Sequence, residues 1–405
     1  MAISKIIGSG LGTINSPVEF TSTATIAGNV TVTSGLTVAG SPITGGHTGR
    51  NLVINGAMNV AQRAASVAGL GASAGYFTLD RFRFFLGTTS AGRLTMTQTA
   101  DGPTGISANC LKLDCTTADT SIAAGERMII QHKIEAQHLQ RIGKGVVGAK
   151  QTTVSFYVKA NASFTFGLEF FQSDHSRQCT KLFDTTTDWV RHEITFPADV
   201  DDGSSPIPAD NGEGLVLQFW LHAGSTYTGG TLNTAAFADS SNANRAVGID
   251  SFFSNTANNF FLTGLQMEVG PVATEFEQED IGVTLARCQR YYQKISGASG
   301  ATHKRFARGH NVSTTLNDCS VSLTSEMRTF PALETTGTAA NYGIFHEGTV
   351  TACSAIPAVN SASDAGIGNS VGLGGTVGSG LTAGQGSVLV ANNSTAAYLA
   401  FDAEL

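Results

Sequence analysis

The sequence predicts an all-β protein: an N-terminal β-stranded shaft, a large β-sandwich, a short linking helix and a smaller C-terminal β-sandwich. Three observations carry this reading. Only 14% of the 405 residues are charged, against about 25% in ordinary globular domains. The 47 glycines, with Ser, Thr and Asn spread between apolar residues, suit short strands joined by tight turns. Period-2 alternation recurs along the chain, and long Ala/Leu/Glu/Lys helical patterns are nearly absent. A hydrophobic content of 41% is enough to bury a core, which excludes a disordered chain.

Residues 1–23 are polar and glycine-rich with a few apolar anchors (Ile3, Ile6, Ile7, Leu11, Ile14), a composition suited to docking on another protein. Residues 24–50 contain three hexads in register, ATIAGN, VTVTSG and LTVAGS, then a glycine-rich hinge, GGHTG. Each hexad has apolar residues at its first and third positions and small or turn residues at its last two. Hexads of this kind wind into β-helices, but three cannot bury a core in one chain. Three chains wound together can, so a short trimeric shaft is predicted. An ordinary meander of two hairpins is the rival.

Residues 51–280 carry the strand patterns of a sandwich: 154–159 (VSFYVK), 164–170 (FTFGLEF), 187–196 (TDWVRHEITF) and 215–222 (LVLQFWLH). Residues 199–214 form a long polar loop within it. Residues 281–295 link onward. Ile281, Leu285, Cys288 and Tyr292 fall at helical spacing, Asp280 can cap the start, and Arg287 and Arg290 sit where a helix C-terminus favours cations. Residues 296–405 read as the smaller β domain, with strands at 321–333 and 397–405 and loops across the Gly/Ser/Ala-rich stretch 352–386.

Two stretches carry a resemblance. Residues 51–63 read NLVINGAMNVAQR and are followed by Leu79-Asp80-Arg81-Phe82; residues 260–295 read FFLTGLQMEVGPVATEFEQEDIGVTLARCQRYYQKI. They resemble segments of the form LQLEVG…ATxFE…LxxCQRYY in bacteriophage tail-fibre and tail-appendage proteins, where such segments bracket a carbohydrate-binding-module-like jelly roll. Both ends occur here in order and enclose about half the chain. Residues 321–333 and 397–405 resemble C-terminal strands of the same proteins. Met267 replaces the usual second Leu and Phe82 stands where Trp is frequent, both conservative for packing.

The resemblance implies a homotrimeric tail-fibre structural protein of the virion, assembled in the host cytoplasm and not an enzyme. Residues 1–23 would hold a virion tail or portal-proximal protein, and the sandwiches would meet a host-surface polysaccharide. The rivals are a fibre with depolymerase activity, a head or collar decoration fibre, and a free-standing secreted carbohydrate-binding module.

Other features narrow the field. A net charge of −7 and a pI near 5.7 offer no basic field for nucleic acid. No apolar window has the length of a membrane span, and Ile6-Ile7 is too short an apolar run for a signal peptide. The six cysteines form no CxxC and read as reduced, mostly buried thiols. The run Asp199-Val-Asp201-Asp202-Gly203 is similar to part of a calcium loop but lacks the distal bidentate Glu. No phosphate-binding or zinc motif is present, so no cofactor or metal is expected.

Sugar rings present an apolar face and polar edges, so a binding site needs an aromatic platform beside hydrogen-bonding groups. On the strand 215–222, Leu215, Leu217, Phe219 and Leu221 share the core face, leaving Val216, Gln218, Trp220 and His222 on the other. Tyr157 and Lys159, and Glu169 with Phe171, take the corresponding face of their strands. The candidate glycan site is therefore Tyr157, Glu169, Gln218, Trp220 and His222. The competing reading buries this face against a loop, a helix or a neighbouring subunit. Trp189 is read as core. Cleavage needs two carboxylates suitably spaced, and Glu169, Asp174, Glu193 and Asp210 offer no pair that stands out.

Overall fold

Strands dominate the computed structural model, which describes residues 37–38, 41–42, 49–88, 90–297, 303–359 and 369–405. The chain forms two units, Met1–His47 and Thr48–Leu405. In the first, β1 (Thr37–Val38) pairs antiparallel with β2 (Ser41–Pro42). The attachment segment and the rest of the hexad shaft lie outside the described residues.

In the second unit, the first half of a sandwich supplies β3 (Ser66–Leu70), β4 (Gly75–Tyr76), β5 (Phe82–Gly87), β6 (Arg93–Thr99), β7 (Cys110–Thr117), β8 (Arg127–Glu135) and β9 (Thr152–Ala160). The second half adds β10 (Thr165–Gln172), β11 (Arg177–Asp184), β12 (Val190–Phe196), β13 (Glu213–Ala223), β14 (Ala238–Asp239) and β15 (Asn259–Val269). One sheet runs β12-β9-β15-β7-β6-β3 and the other β14-β11-β10-β13-β8-β5-β4, a two-sheet antiparallel jelly roll. The alternation explains the layers: Val154, Phe156 and Val158 from one sheet meet Leu215, Leu217 and Phe219 from the other in one core. Aromatic rings bridge the sheets. Phe170 stacks on Phe196 at 4.0 Å, and Phe156 meets Phe219 edge-on at 5.3 Å. A short helix, α1 (Ser225–Thr228), follows β13, and Tyr227 and Ala246 pack with Trp220 and Ile129 as a small outer cluster.

The two stretches with the family resemblance meet in space. Asn51 donates from Nδ2 to the Leu265 carbonyl (3.1 Å) and accepts at Oδ1 from Met267 N (3.1 Å). Gly56 packs so closely that a Cβ would lie 2.0 Å from the Leu265 oxygen, so no larger residue fits there without backbone movement. Asn55 takes a positive φ of 63° and ties Val60 N and O with its amide. Asp280 caps α2 (Ile281–Gln289) by accepting from Gly282 N at 2.8 Å. The helix is shorter than the spacing predicted, and its buried face carries Thr284 and Cys288 while Ile281 is 53% exposed.

From Tyr292 the chain is already strand. The C-terminal part contains β16 (Tyr292–Ser296), β17 (Arg305–Asn311), β18 (Leu316–Ser322), β19 (Ala332–Thr335), β20 (Tyr342–His346), β21 (Thr349–Ala352), β22 (Ala358–Val359), β23 (Ser370–Thr376), β24 (Gly386–Ala391) and β25 (Tyr398–Asp402). They form sheets β16-β25-β19 and β21-β20-β24-β17-β18-β23-β22 around a second core that includes Phe306, Leu373, Leu389 and Phe401. The stretch 352–386 is therefore not all loop. In β23, Val371 and Leu373 alternate with small residues and pair along the whole of β18.

Where the sandwich meets these strands, three arginines are paired and two of them are also stacked. Arg63 binds Asp402 at 2.8 Å and lies 3.6 Å over the Tyr292 ring. Arg81 binds Glu404 and lies 3.6 Å over Tyr291. Arg290 holds Glu135 through two bonds (3.0 and 2.7 Å), and Tyr291 Oη donates to the same carboxylate at 2.7 Å. All six cysteines are buried and unpaired.

Candidate functional site

Strands β5, β8, β13 and β10 are neighbours in one sheet, so alternate residues line up across its outer face in rows. One row is Arg83, Gln131, Gln218 and Glu169, directly opposite one another in turn. It is hydrogen-bonded from Arg83 to Gln218. Arg83 Nη1 donates to Gln131 Oε1 at 2.8 Å, and Gln131 Nε2 donates to Gln218 Oε1 at 3.2 Å. The next row is Phe85, Ile129, Trp220 and Gly167. Arg83, Gln131 and Gln218 of the first row and Phe85 and Ile129 of the second, with Arg127, Lys133, Phe171, Glu213, Val216 and Arg245, border a groove of about 190 Å³.

The two ends of the groove differ. At the β10 end, Glu169 is fully buried. It accepts from Trp220 Nε1 (2.8 Å) and from Arg245 through Nε (2.9 Å) and Nη2 (2.8 Å). A buried carboxylate is tolerable only with such partners. The Arg245 guanidinium also lies 4.3 Å from the Phe171 ring centroid, so this end is sealed by packing and charge. At the β5 end, the guanidinium carbons of Arg83 and Arg127 each lie 5.1 Å from the Phe85 centroid. Arg127 donates to Tyr227 Oη. Among the described residues neither has a carboxylate within ion-pair distance, whereas Lys133 pairs with Glu213 at 2.6 Å.

The five predicted residues are not one site. Gln218 lines the groove, and Glu169 and Trp220 meet each other at its sealed end. Trp220 is fully buried under Tyr227, 5.4 Å away between ring centroids, so its ring offers no open platform. His222 leaves the face. The register shifts between Trp220, opposite Ile129, and His222, opposite Met128, and the imidazole packs 5.3 Å from Phe253 of the main core. Burial lowers its pKa, opposed by Glu126. Tyr157 lies on β9 in the other sheet, on the opposite side of the sandwich. Trp189 shares that opposite outer face and is not core. Its Nε1 donates to the Asp101 carbonyl at 3.1 Å, and Lys159 lies 5.1 Å over its ring.

Arg83, Phe85, Arg127, Gln131 and Arg245 lie outside the set that the strand patterns single out. Arg83 and Phe85 flank the core residue Phe84, so period-2 alternation in RFRFF already places both on one face. Nothing local to Arg245 announces Glu169, 76 positions away.

The acidic loop serves packing. Asp199 accepts from Lys144 Nζ (2.8 Å) and Arg177 Nη2 (2.7 Å), and Arg177 also binds Asp201 at 2.8 Å. Burial alone would raise the Asp199 carboxyl, but the hydrogen bonds and charges of Arg177 and Lys144 hold it below the usual carboxylate range. A hollow of about 870 Å³ runs along α2, and its arginines are already engaged. Arg141 donates to the carbonyls of Gly49 and Arg50, Arg287 to Glu279, and Arg290 to Glu135.

No family model and no curated protein matches the chain. Among solved structures it is similar to a CBM4 carbohydrate-binding module at 13% identity, covering 54% of this chain and 99% of that one with a TM-score of 0.27. It is also similar to the family 11 module of a cellulosomal cellulase of Clostridium thermocellum (12%, 52% and 99%, TM-score 0.25). A CBM61 module in complex with β-1,4-galactotriose matches at 10%, 54% and 99%, with a TM-score of 0.26. At such scores the fold assignment rests on this chain's own strand order and register.

Proposed function

We propose that this chain is a non-catalytic, glycan-binding structural protein of a phage tail appendage, with host-surface polysaccharide lying in the groove on the seven-stranded sheet. The observation that carries the binding part is the amide row of Gln131 and Gln218 set between Phe85 and Phe171. Each amide both donates and accepts, matching sugar hydroxyls, and Phe85 offers apolar surface to the sugar face while Phe171 closes the far end under Arg245. The tail-appendage part is supported by the resemblance of residues 51–63 and 260–295, whose side chains lock the sandwich to the strands that follow. In this reading the fibre is a homotrimer fixed to the virion by residues 1–23, and weak contacts multiply through avidity. Binding rather than cleavage is supported by the carboxylates at the groove. Glu213 and Glu169 are engaged by Lys133 and Arg245, which leaves no free acid–base pair.

Affinity electrophoresis of the full chain through gels containing bacterial capsular or O-antigen polysaccharides tests the binding part. At least one polysaccharide retards the chain, and Gln131→Ala with Gln218→Ala weakens that at least about tenfold. Retardation by none, or retardation untouched by both changes, overturns it. Release of new reducing ends would replace binding with cleavage. Light scattering tests assembly, with three times the 42.0 kDa chain mass expected and a monomer counting against the fibre.

A further inference from the structure

The groove carries a charge opposite to that of the chain. We infer that the polysaccharide it takes is acidic, bearing a carboxylate or phosphate group that Arg83 and Arg127 receive; this rests on the glycan-binding reading above. The chain as a whole is −7. Of the four cations at the groove, Lys133 is matched by Glu213 and Arg245 by Glu169. Arg83 and Arg127 remain, each bonded within the described residues only to a neutral oxygen, Gln131 Oε1 and Tyr227 Oη.

Several other arginines of this unit meet either a carboxylate, as Arg63, Arg81, Arg177 and Arg290 do, or two or more backbone carbonyls, as Arg93, Arg141 and Arg328 do; Arg83 and Arg127 have neither among the described residues. The Arg83 and Arg127 guanidiniums are held against Phe85, and Arg127 also lies 4.6 Å over the Tyr227 ring. They are thus positioned before any ligand arrives, which lowers the ordering cost of binding. A guanidinium has five N–H donors in a planar fork that fits carboxylate or phosphate oxygens. Each of these two uses one donor on its protein oxygen. Burial holds the Arg127 pKa below its usual value, and the nearby Arg245 charge adds to the effect, with Tyr227 and the more distant Glu169 opposing it. A bound anion would relieve that repulsion. A neutral glycan would leave two partly desolvated cations without a counter-charge.

The test measures affinity of the full chain for a panel of capsular and O-antigen polysaccharides by affinity electrophoresis. Each is used native, carboxyl-reduced and dephosphorylated, with polyglutamate as a non-sugar anion. A native acidic polymer is expected to bind, and removal of its anionic group weakens binding at least about tenfold. Carboxyl reduction acting alone identifies a uronate, and dephosphorylation acting alone a sugar phosphate. Arg83→Gln with Arg127→Gln gives the same loss while thermal unfolding shows the fold intact, and raised salt weakens only the unsubstituted protein. Equal binding to the neutralised polymers, unmoved by the arginine changes, overturns the acidic specificity and leaves glycan binding standing. Equal binding of polyglutamate reduces the groove to an anion trap. Failure of every polysaccharide, neutral or acidic, overturns the glycan reading and this inference with it.

Discussion

Two places where arginines lie on aromatic rings have opposite outcomes. At the seam between the sandwich and the C-terminal strands, Arg63 and Arg81 lie on Tyr292 and Tyr291, and each also has a carboxylate, Asp402 or Glu404. On the sheet face, Arg83 and Arg127 lie beside Phe85 and have none among the described residues. The side-chain chemistry is nearly the same. What separates structure from function is whether the counter-charge is built in. A fully matched cluster holds two parts of the chain together, and an unmatched one holds a place for something else.

The largest effect should come from breaking the matched cluster. Glu404→Ala leaves Arg81, whose side chain is 1% exposed, without its carboxylate. Removing one partner of a buried pair costs about 3–5 kcal/mol. Urea unfolding should show that loss, and a change below about 1 kcal/mol would mean the seam is not held by charge.

A smaller effect lies in pH. Burial pushes the Asp80 carboxyl up to about 6 from 3.8, with Glu404 adding and the Gln62 hydrogen bonds and Arg63 opposing. Between those values the folded chain keeps a proton that the unfolded chain has released. Asp80 therefore makes stability fall as pH rises from about 4 to 6, by about 1–3 kcal/mol. Asp80→Asn should flatten that part of the stability curve, and an unchanged slope would assign it to other groups.

The smallest stability effects belong to the faces. Arg83→Gln should change unfolding by no more than about 0.5 kcal/mol while weakening glycan affinity about tenfold. Tyr157→Ala, on the other sheet, should leave affinity within about twofold. Equal loss from both would erase the distinction between the two faces.

How much of this was legible in the sequence follows from the range of the interactions. Period-2 alternation is local, and it separated Leu215, Leu217 and Phe219 from Gln218 and Trp220 correctly. The Asp280 cap is equally local. Which strands share a sheet is not, so alternation alone groups Tyr157 with residues on the far side of the sandwich. The register shift after Trp220 removed His222 from a face that strict alternation had given it. Trp220 and Glu169 are sealed by Arg245 and Tyr227, which arrive from later in the chain. The Gly/Ser-rich stretch 352–386 hid β23, because a strand flanked on both sides needs few large side chains of its own.

The buried cysteines have a chemical consequence. Desolvation pushes the thiols of Cys110 and Cys179 up to about 11 and those of Cys319 and Cys353 to about 12, and it raises Cys115 and Cys288 as well. Thiolate, the form that reacts with oxidants and electrophiles, is therefore scarce at neutral pH and shielded from contact. The sulfur chemistry of the folded chain thus stays silent toward oxidants and electrophiles until unfolding exposes it.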